Sequence, residues 1–121
     1  MSFWNCTIAN KECSVKVLRT DKERALGYQH HPTGPTSSEG LLFLFTDDLP
    51  ERLFHMRNVK FNLELLGFDK EGKLICTIPM KSNNKEEYPI PSGCKFIIEI
   101  TEGWSKDLQK DEDGEIRLTL H

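Results

Sequence analysis

The chain has 121 residues, 37% of them hydrophobic and 29% charged, with a formal net charge of -3. That composition fits one ordinary globular domain, large enough to bury a core without staples, and it excludes a disordered polymer. The acidic balance excludes an overall basic field for nucleic acid, and the longest apolar run, Leu41 to Phe45, falls far short of the roughly 20 residues of a membrane span.

Residues 1–121 read as a single domain, with 1–13 as an edge strand or arm and 14–120 as the core. The first residues show no basic segment followed by an apolar one, so the chain as given is expected in the cytoplasm. Phe3 and Trp4 either pack as an edge strand on their own domain or stand out as an anchor for a partner. Cys6 and Cys13 leave two readings open: reduced boundary thiols, or a bridge across a turn in an oxidising compartment.

Thr20-Asp21-Lys22-Glu23 has the form of a capping box and predicts a short helix from Asp21 to about Tyr28. Between Gln29 and Gly40, two prolines and a glycine exclude regular structure, leaving a long irregular loop that carries His30 and His31. Leu41 to Phe45 is apolar on both faces and reads as the central strand. A turn at Asp47-Asp48-Leu49-Pro50 follows, with residues 51 to 58 expected as that strand's neighbour.

Downstream, alternation dominates. Phe61, Leu63 and Leu65 share a face, as do Leu74, Cys76 and Ile78. Cys94, Phe96, Ile98 and Ile100 form a third set, and Ile116, Leu118 and Leu120 a fourth. Asp69-Lys70-Glu71-Gly72 and Asp111-Glu112-Asp113-Gly114 supply turns with glycine where a left-handed residue is needed. A second helical turn is expected within Gly103 to Gln109. The fold class is therefore mainly β and mostly antiparallel, with one or two short helices. Cys76 and Cys94, on apolar strand faces, read as small core hydrophobes.

Several segments also resemble a known set of motifs. Gly40-Leu41-Leu42-Phe43-Leu44-Phe45 matches Gly-Met-Leu-Phe-x-Phe. Phe54-His55-Met56-Arg57-Asn58-Val59, with Asn62-Leu63-Glu64, matches Phe-Trp-Met-Lys-Asn-Thr followed by Pro-Leu-Asp. Asp69-Lys70-Glu71-Gly72 and the strand ending at Gly103 complete the series. From Val15 to Leu120 the chain thus resembles the bacterial, archaeal and phage family known as domain of unknown function 192. The resemblance implies a β-barrel-like domain and no established reaction. His55, Val59, Asn62 and Glu64 stand where the pattern has Trp, Thr, Pro and Asp.

Two functional readings follow. In the first, the chain is a cytoplasmic interaction module without catalytic activity. Its compact size and acidic balance suit a phage-encoded copy acting on a host protein in the host cytoplasm. Trp4, His30, His31 and Trp104 are its candidate contacts, and it is a monomer or weak homodimer. In the second, a polar pocket around Asn58 and Glu64 binds a small molecule or saccharide, or serves a hydrolase, with His55, Met56 and Glu99 contributing. Neither reading requires a cofactor, nucleic acid or membrane. The histidines lack metal-ligand spacing, so no metal site is expected.

Overall fold

Alternating apolar and polar side chains decide where the strands lie. The computed structural model describes residues 3–45 and 52–121. The expected turn at Asp47 to Pro50 lies outside the described residues. β1 (Phe3–Ile8) and β2 (Lys11–Leu18) form a hairpin, and α1 (Asp21–Leu26) follows. Next come β3 (Glu39–Leu44), β4 (Arg52–His55), β5 (Leu63–Phe68), β6 (Leu74–Met80), β7 (Glu87–Ile90) and β8 (Phe96–Thr101). A 3-10 turn (Trp104–Asp107) and β9 (Leu118–Leu120) complete the chain.

Seven strands make one sheet in the order β6-β5-β8-β3-β2-β1-β9. Every pairing in it is antiparallel except β2 with β3, which run parallel and are connected through α1 and the 29–38 loop. The sheet curls into a half-barrel. Its two ends meet where Lys73 bridges Arg117 and the Leu74 amide donates to the Ile116 carbonyl at 2.8 Å.

The curl divides the core in two. Inside it, Cys6, Ile8, Val15, Leu42, Leu66, Phe68, Ile98 and Ile100 pack with Trp104, which is buried. Against the outer face, Leu41, Phe43, Leu63, Leu65 and Ile97 pack with Met56, Val59, Ile90 and Tyr28. A two-stranded ribbon of β4 and β7 lies on that side. The two-faced apolar run Leu41 to Phe43 is indeed buried at the centre of the sheet.

The segment expected beside β3 goes elsewhere. β4 pairs with β7, because both edges of β3 are already taken by β2 and β8. Adjacency in sequence is a weaker guide than a filled hydrogen-bond ladder. The alternation in β6 is also interrupted. The register shifts at Gly67/Phe68, so Leu74 packs with the inner cluster while Cys76 and Ile78 pack with the outer one.

The capping box is complete. Thr20 Oγ1 accepts from the Glu23 amide at 3.1 Å, and Glu23 Oε1 accepts from the Thr20 amide at 3.0 Å. The helix stops at Leu26, two residues earlier than expected, where Gly27 turns the chain at φ 48. The expected second helical turn is the 3-10 turn. Of the two readings for Cys6 and Cys13, the structure shows the bridge: the residues stand directly opposite in the β1–β2 hairpin, 5.4 Å apart at Cα, and are joined as a disulfide.

Candidate functional site

Position 99 lies on the outer face of β8, at the centre of the sheet. Its register partners are Leu41 on β3 and Leu65 on β5, so the Glu99 carboxyl sits among apolar neighbours. The side chain is 5% exposed and has no hydrogen-bond or ion-pair partner among the described residues. Burial alone pushes its pKa up to about 8. A carboxyl in this state is mostly protonated at neutral pH.

Glu99 forms part of the wall of a cavity of about 510 Å³. Phe43 and Phe54 supply apolar wall, their rings 5.0 Å apart and edge to face. α1 and Gly27 close one side, and β4 the other through Leu53, Phe54 and His55. A Cβ on Gly27 would lie 3.6 Å from the Phe43 ring and 3.7 Å from Glu99 Oε1, so this bend of the chain rests directly on the site. The same wall carries Arg24, Arg52 and Phe45. The Arg52 guanidinium lies 3.5 Å from the Phe45 ring centre, and Arg24 stands 5.4 Å from it. Arg24 is further held by Asp21 at 2.6 Å and by the Leu44 carbonyl at 3.1 Å. Tyr28 lines the cavity as well, its hydroxyl pKa raised by burial and by the Glu99 charge.

The pocket expected around Asn58 and Glu64 does not form. Glu64 and Glu99 lie on adjacent strands, but Glu64 pairs with Ile100 while Glu99 pairs with Leu65. That offset of one residue puts the two carboxyls on opposite faces of the sheet, so they cannot act as an acid–base pair. Glu64 points inward, where its oxygens accept from the Gly103 amide at 3.1 Å and the Ser105 amide at 2.7 Å. It holds the 3-10 turn in place. Asn58 is an exposed turn residue at φ 63; its carbonyl accepts from the His30 amide and its Nδ2 donates to Gln29 Oε1. Met56 is fully buried as core.

His55 does line the cavity. Its Nδ1 accepts from the Arg57 amide at 3.2 Å, and burial with the nearby Arg57 charge lowers its pKa. Of the five residues expected to bind a ligand, the structure therefore brings together only His55 and Glu99.

The other candidate set is scattered. Trp104 is buried in the inner core beneath Lys11, whose Nζ lies 4.4 Å from its ring centre, so it is no exposed anchor. Its indole N–H has no partner among the described residues. Trp4 is half-buried on β1 with the Arg19 guanidinium over its ring. His31 packs edge-on against Tyr28, and His30 is exposed. Among the described residues no group of three metal-ligating side chains converges, and no helix is long and apolar enough to cross a membrane.

The family model described as "Uncharacterized ACR", domain of unknown function 192, matches residues 5–118. The chain belongs to this family. No curated protein matches it. Two solved structures share the fold. One, from Sinorhizobium meliloti and described as a candidate transcription regulator, is 13% identical with a TM-score of 0.86 over 98% of this chain and 94% of its own. The other, a protein of unknown function from Novosphingobium aromaticivorans, is 17% identical with a TM-score of 0.80 over 97% of this chain and 84% of its own.

With the family in hand, its two longest motifs gain a location. The segment from Gly40 to Phe45 contributes Phe43 and Phe45 to the cavity, and the segment from Phe54 contributes Phe54, His55 and Val59. Gly40 is required for a separate reason: a Cβ there would sit 2.5 Å from the Glu99 carbonyl oxygen. Two of the four departures from the family pattern, His55 and Val59, line the same cavity. The other two are structural here. Asn62 Oδ1 accepts from the Ser82 amide at 2.9 Å, and Glu64 holds the 3-10 turn.

Sequence reasoning missed Tyr28, Arg24, Phe43 and Phe54 as site residues. The available signal was Leu26-Gly27-Tyr28, a glycine ending a helix just before a buried aromatic.

Proposed function

We propose that this protein binds a small molecule with an apolar body and one basic amine in the cavity between α1, β3, β4 and β8. The observation that carries this reading is Glu99, a buried carboxyl on the cavity wall without a partner among the described residues. Burial is what raises its pKa, and no cation among the described residues offsets it. A ligand ammonium would supply the missing partner and replace lost hydration with an ion pair in a low-dielectric site. Phe43 and Phe54 match an apolar body, and the volume suits a small organic molecule.

Binding of an ammonium requires Glu99 to release its proton. Affinity should therefore rise with pH up to about 8. Phenethylamine is a suitable first probe, with phenethyl alcohol as its uncharged control. The amine should raise the melting temperature of the wild type, and calorimetry in buffers of different ionisation heat should show proton release at pH 6. Glu99→Gln should lose both effects. An equal melting shift in Glu99→Gln, or from the alcohol, would end this reading.

A protein-partner reading keeps one observation of its own. Leu26 and Leu53 also line the cavity and are 50% and 55% exposed. A partner side chain carrying a lysine would meet the same wall and the same carboxyl. The Cys6–Cys13 bridge favours an oxidising compartment over the cytoplasm for either role.

A further inference from the structure

A second cluster lies away from this cavity, further along the outer face of the sheet. β5 runs between β6 and β8, and Gly67 stands directly opposite Cys76 on β6. Cys94 ends the turn before β8, next to Lys95, whose amide donates to the Phe68 carbonyl at 2.8 Å. A Cβ built on Gly67 would lie 2.8 Å from Cys76 Sγ and 2.8 Å from Cys94 Sγ. The two sulfurs thus share the space that a side chain at 67 would fill. Both thiols are free; Cys94 is buried, and Cys76, on the edge strand of the sheet, is half-exposed.

We propose that Cys76 and Cys94 form a redox-active dithiol that takes a low-molecular-weight disulfide as its oxidant. Cys76 is the attacking thiol and Cys94 the resolving one. Access supports the assignment, since an incoming disulfide reaches Cys76 and not Cys94. The electrostatics agree. The hydrogen bond from Cys94 brings the Cys76 pKa down to about 7, whereas its bond to Cys76, together with burial, pushes Cys94 up.

In the first step the Cys76 thiolate attacks one sulfur of the small disulfide. That S–S bond breaks, one half leaves as a thiolate, and the other remains on Cys76 as a mixed disulfide. Cys94 then gives up its proton, which ends on the released thiolate. Its sulfur attacks Cys76 Sγ, and the second half leaves as a thiolate that takes up the proton Cys76 lost on ionising. Two protein thiols are oxidised, and one small disulfide becomes two thiols. The product ties β6 to the turn before β8 across β5. Cys6 and Cys13 differ in that both are buried in the inner core, out of reach of exchange.

The test uses the intact protein equilibrated with glutathione buffers of increasing oxidised fraction, then alkylated and mapped by mass spectrometry. A Cys76–Cys94 cross-link should appear as the buffer becomes oxidising and vanish when it is made reducing. Cys94→Ser should stop at glutathione on Cys76, and Cys76→Ser should leave Cys94 unmodified. The cross-link is read in the wild type, so poor folding of a variant does not decide the matter. Two free thiols in the most oxidising buffer, or glutathione held on Cys76 of the wild type without a cross-link, would overturn the proposal.

Discussion

Glu64 and Glu99 are buried to nearly the same degree, 6% and 5% exposed, on neighbouring strands of one sheet. Glu64 accepts from two backbone amides and fixes the turn that carries Trp104. Glu99 has no partner among the described residues and lines a cavity. Burial is therefore not what marks a site in this fold. The mark is a buried polar group left unsatisfied where a ligand could reach it, because the fold bears its desolvation cost without return from the protein itself.

The largest effect expected from this comparison is on pH dependence. Glu99 has a folded pKa of about 8 against 4.5 for a free carboxyl, so the native state holds a proton that the unfolded chain has released between those values. Its contribution is full below pH 4.5, declines as pH rises through the window, and is gone above about pH 8. Relative to Glu99→Gln, the wild type should lose about 5 kcal/mol across that range. Urea unfolding of both proteins at a series of pH values gives the difference curve. A flat curve would remove the contrast between the two glutamates.

Glu64→Leu comes next. It strands two amides that now donate to the carboxyl, and should cost about 3 kcal/mol in urea unfolding. Glu64→Gln should cost less, since the amide side chain keeps one acceptor. Neither change touches the cavity, so the amine-induced melting shift should persist in Glu64→Gln. A lost shift there would mean that the two faces of the sheet are coupled.

A smaller effect is expected at the cap of α1. The helix has only six residues and borders the cavity, and Thr20 satisfies one of its first amides. Thr20→Ala should cost about 1 kcal/mol and speed hydrogen exchange in α1 more than in β3 or β8. Uniform acceleration throughout the chain would show that α1 does not open on its own.

The sheet was largely legible because its strands obey a period of two, and a period of two says which residues share a face. It does not say which strands are neighbours. Residues 51 to 58 read as a neighbour of β3 for that reason: nothing in them specifies β7 as the partner that β4 takes. The same gap hid the site. Whether Glu64 and Glu99 share a face depends on the β5–β8 register, in which Leu65 and not Glu64 meets Glu99. His55 and Glu99 could be named from the sequence. Their common cavity could not, since it is assembled from α1, β3, β4 and β8, which the chain order keeps apart. The Cys76–Cys94 contact was hidden likewise, because it depends on Gly67 standing between two residues 18 positions apart in sequence.

Leu53 allows the finest separation, between an internal ligand and a docked protein. It is 55% exposed on β4, so Leu53→Ser should change stability by less than about 0.5 kcal/mol. Glu99 and the inner aromatic wall are unchanged in that variant. If the cavity takes a small amine whole, the contacts that matter lie at Phe43, Phe54 and Glu99, and phenethylamine should shift the melting temperature of Leu53→Ser almost as it does the wild type. If the wall around Leu26 and Leu53 is instead the edge of a protein interface, the exposed leucines carry area that only a large partner covers, and a single rim substitution should weaken that partner while leaving the amine response intact. A variant that loses the amine shift with its stability unchanged would place Leu53 inside the ligand's contact surface. The carboxyl at position 99 would then be reached from the β4 side.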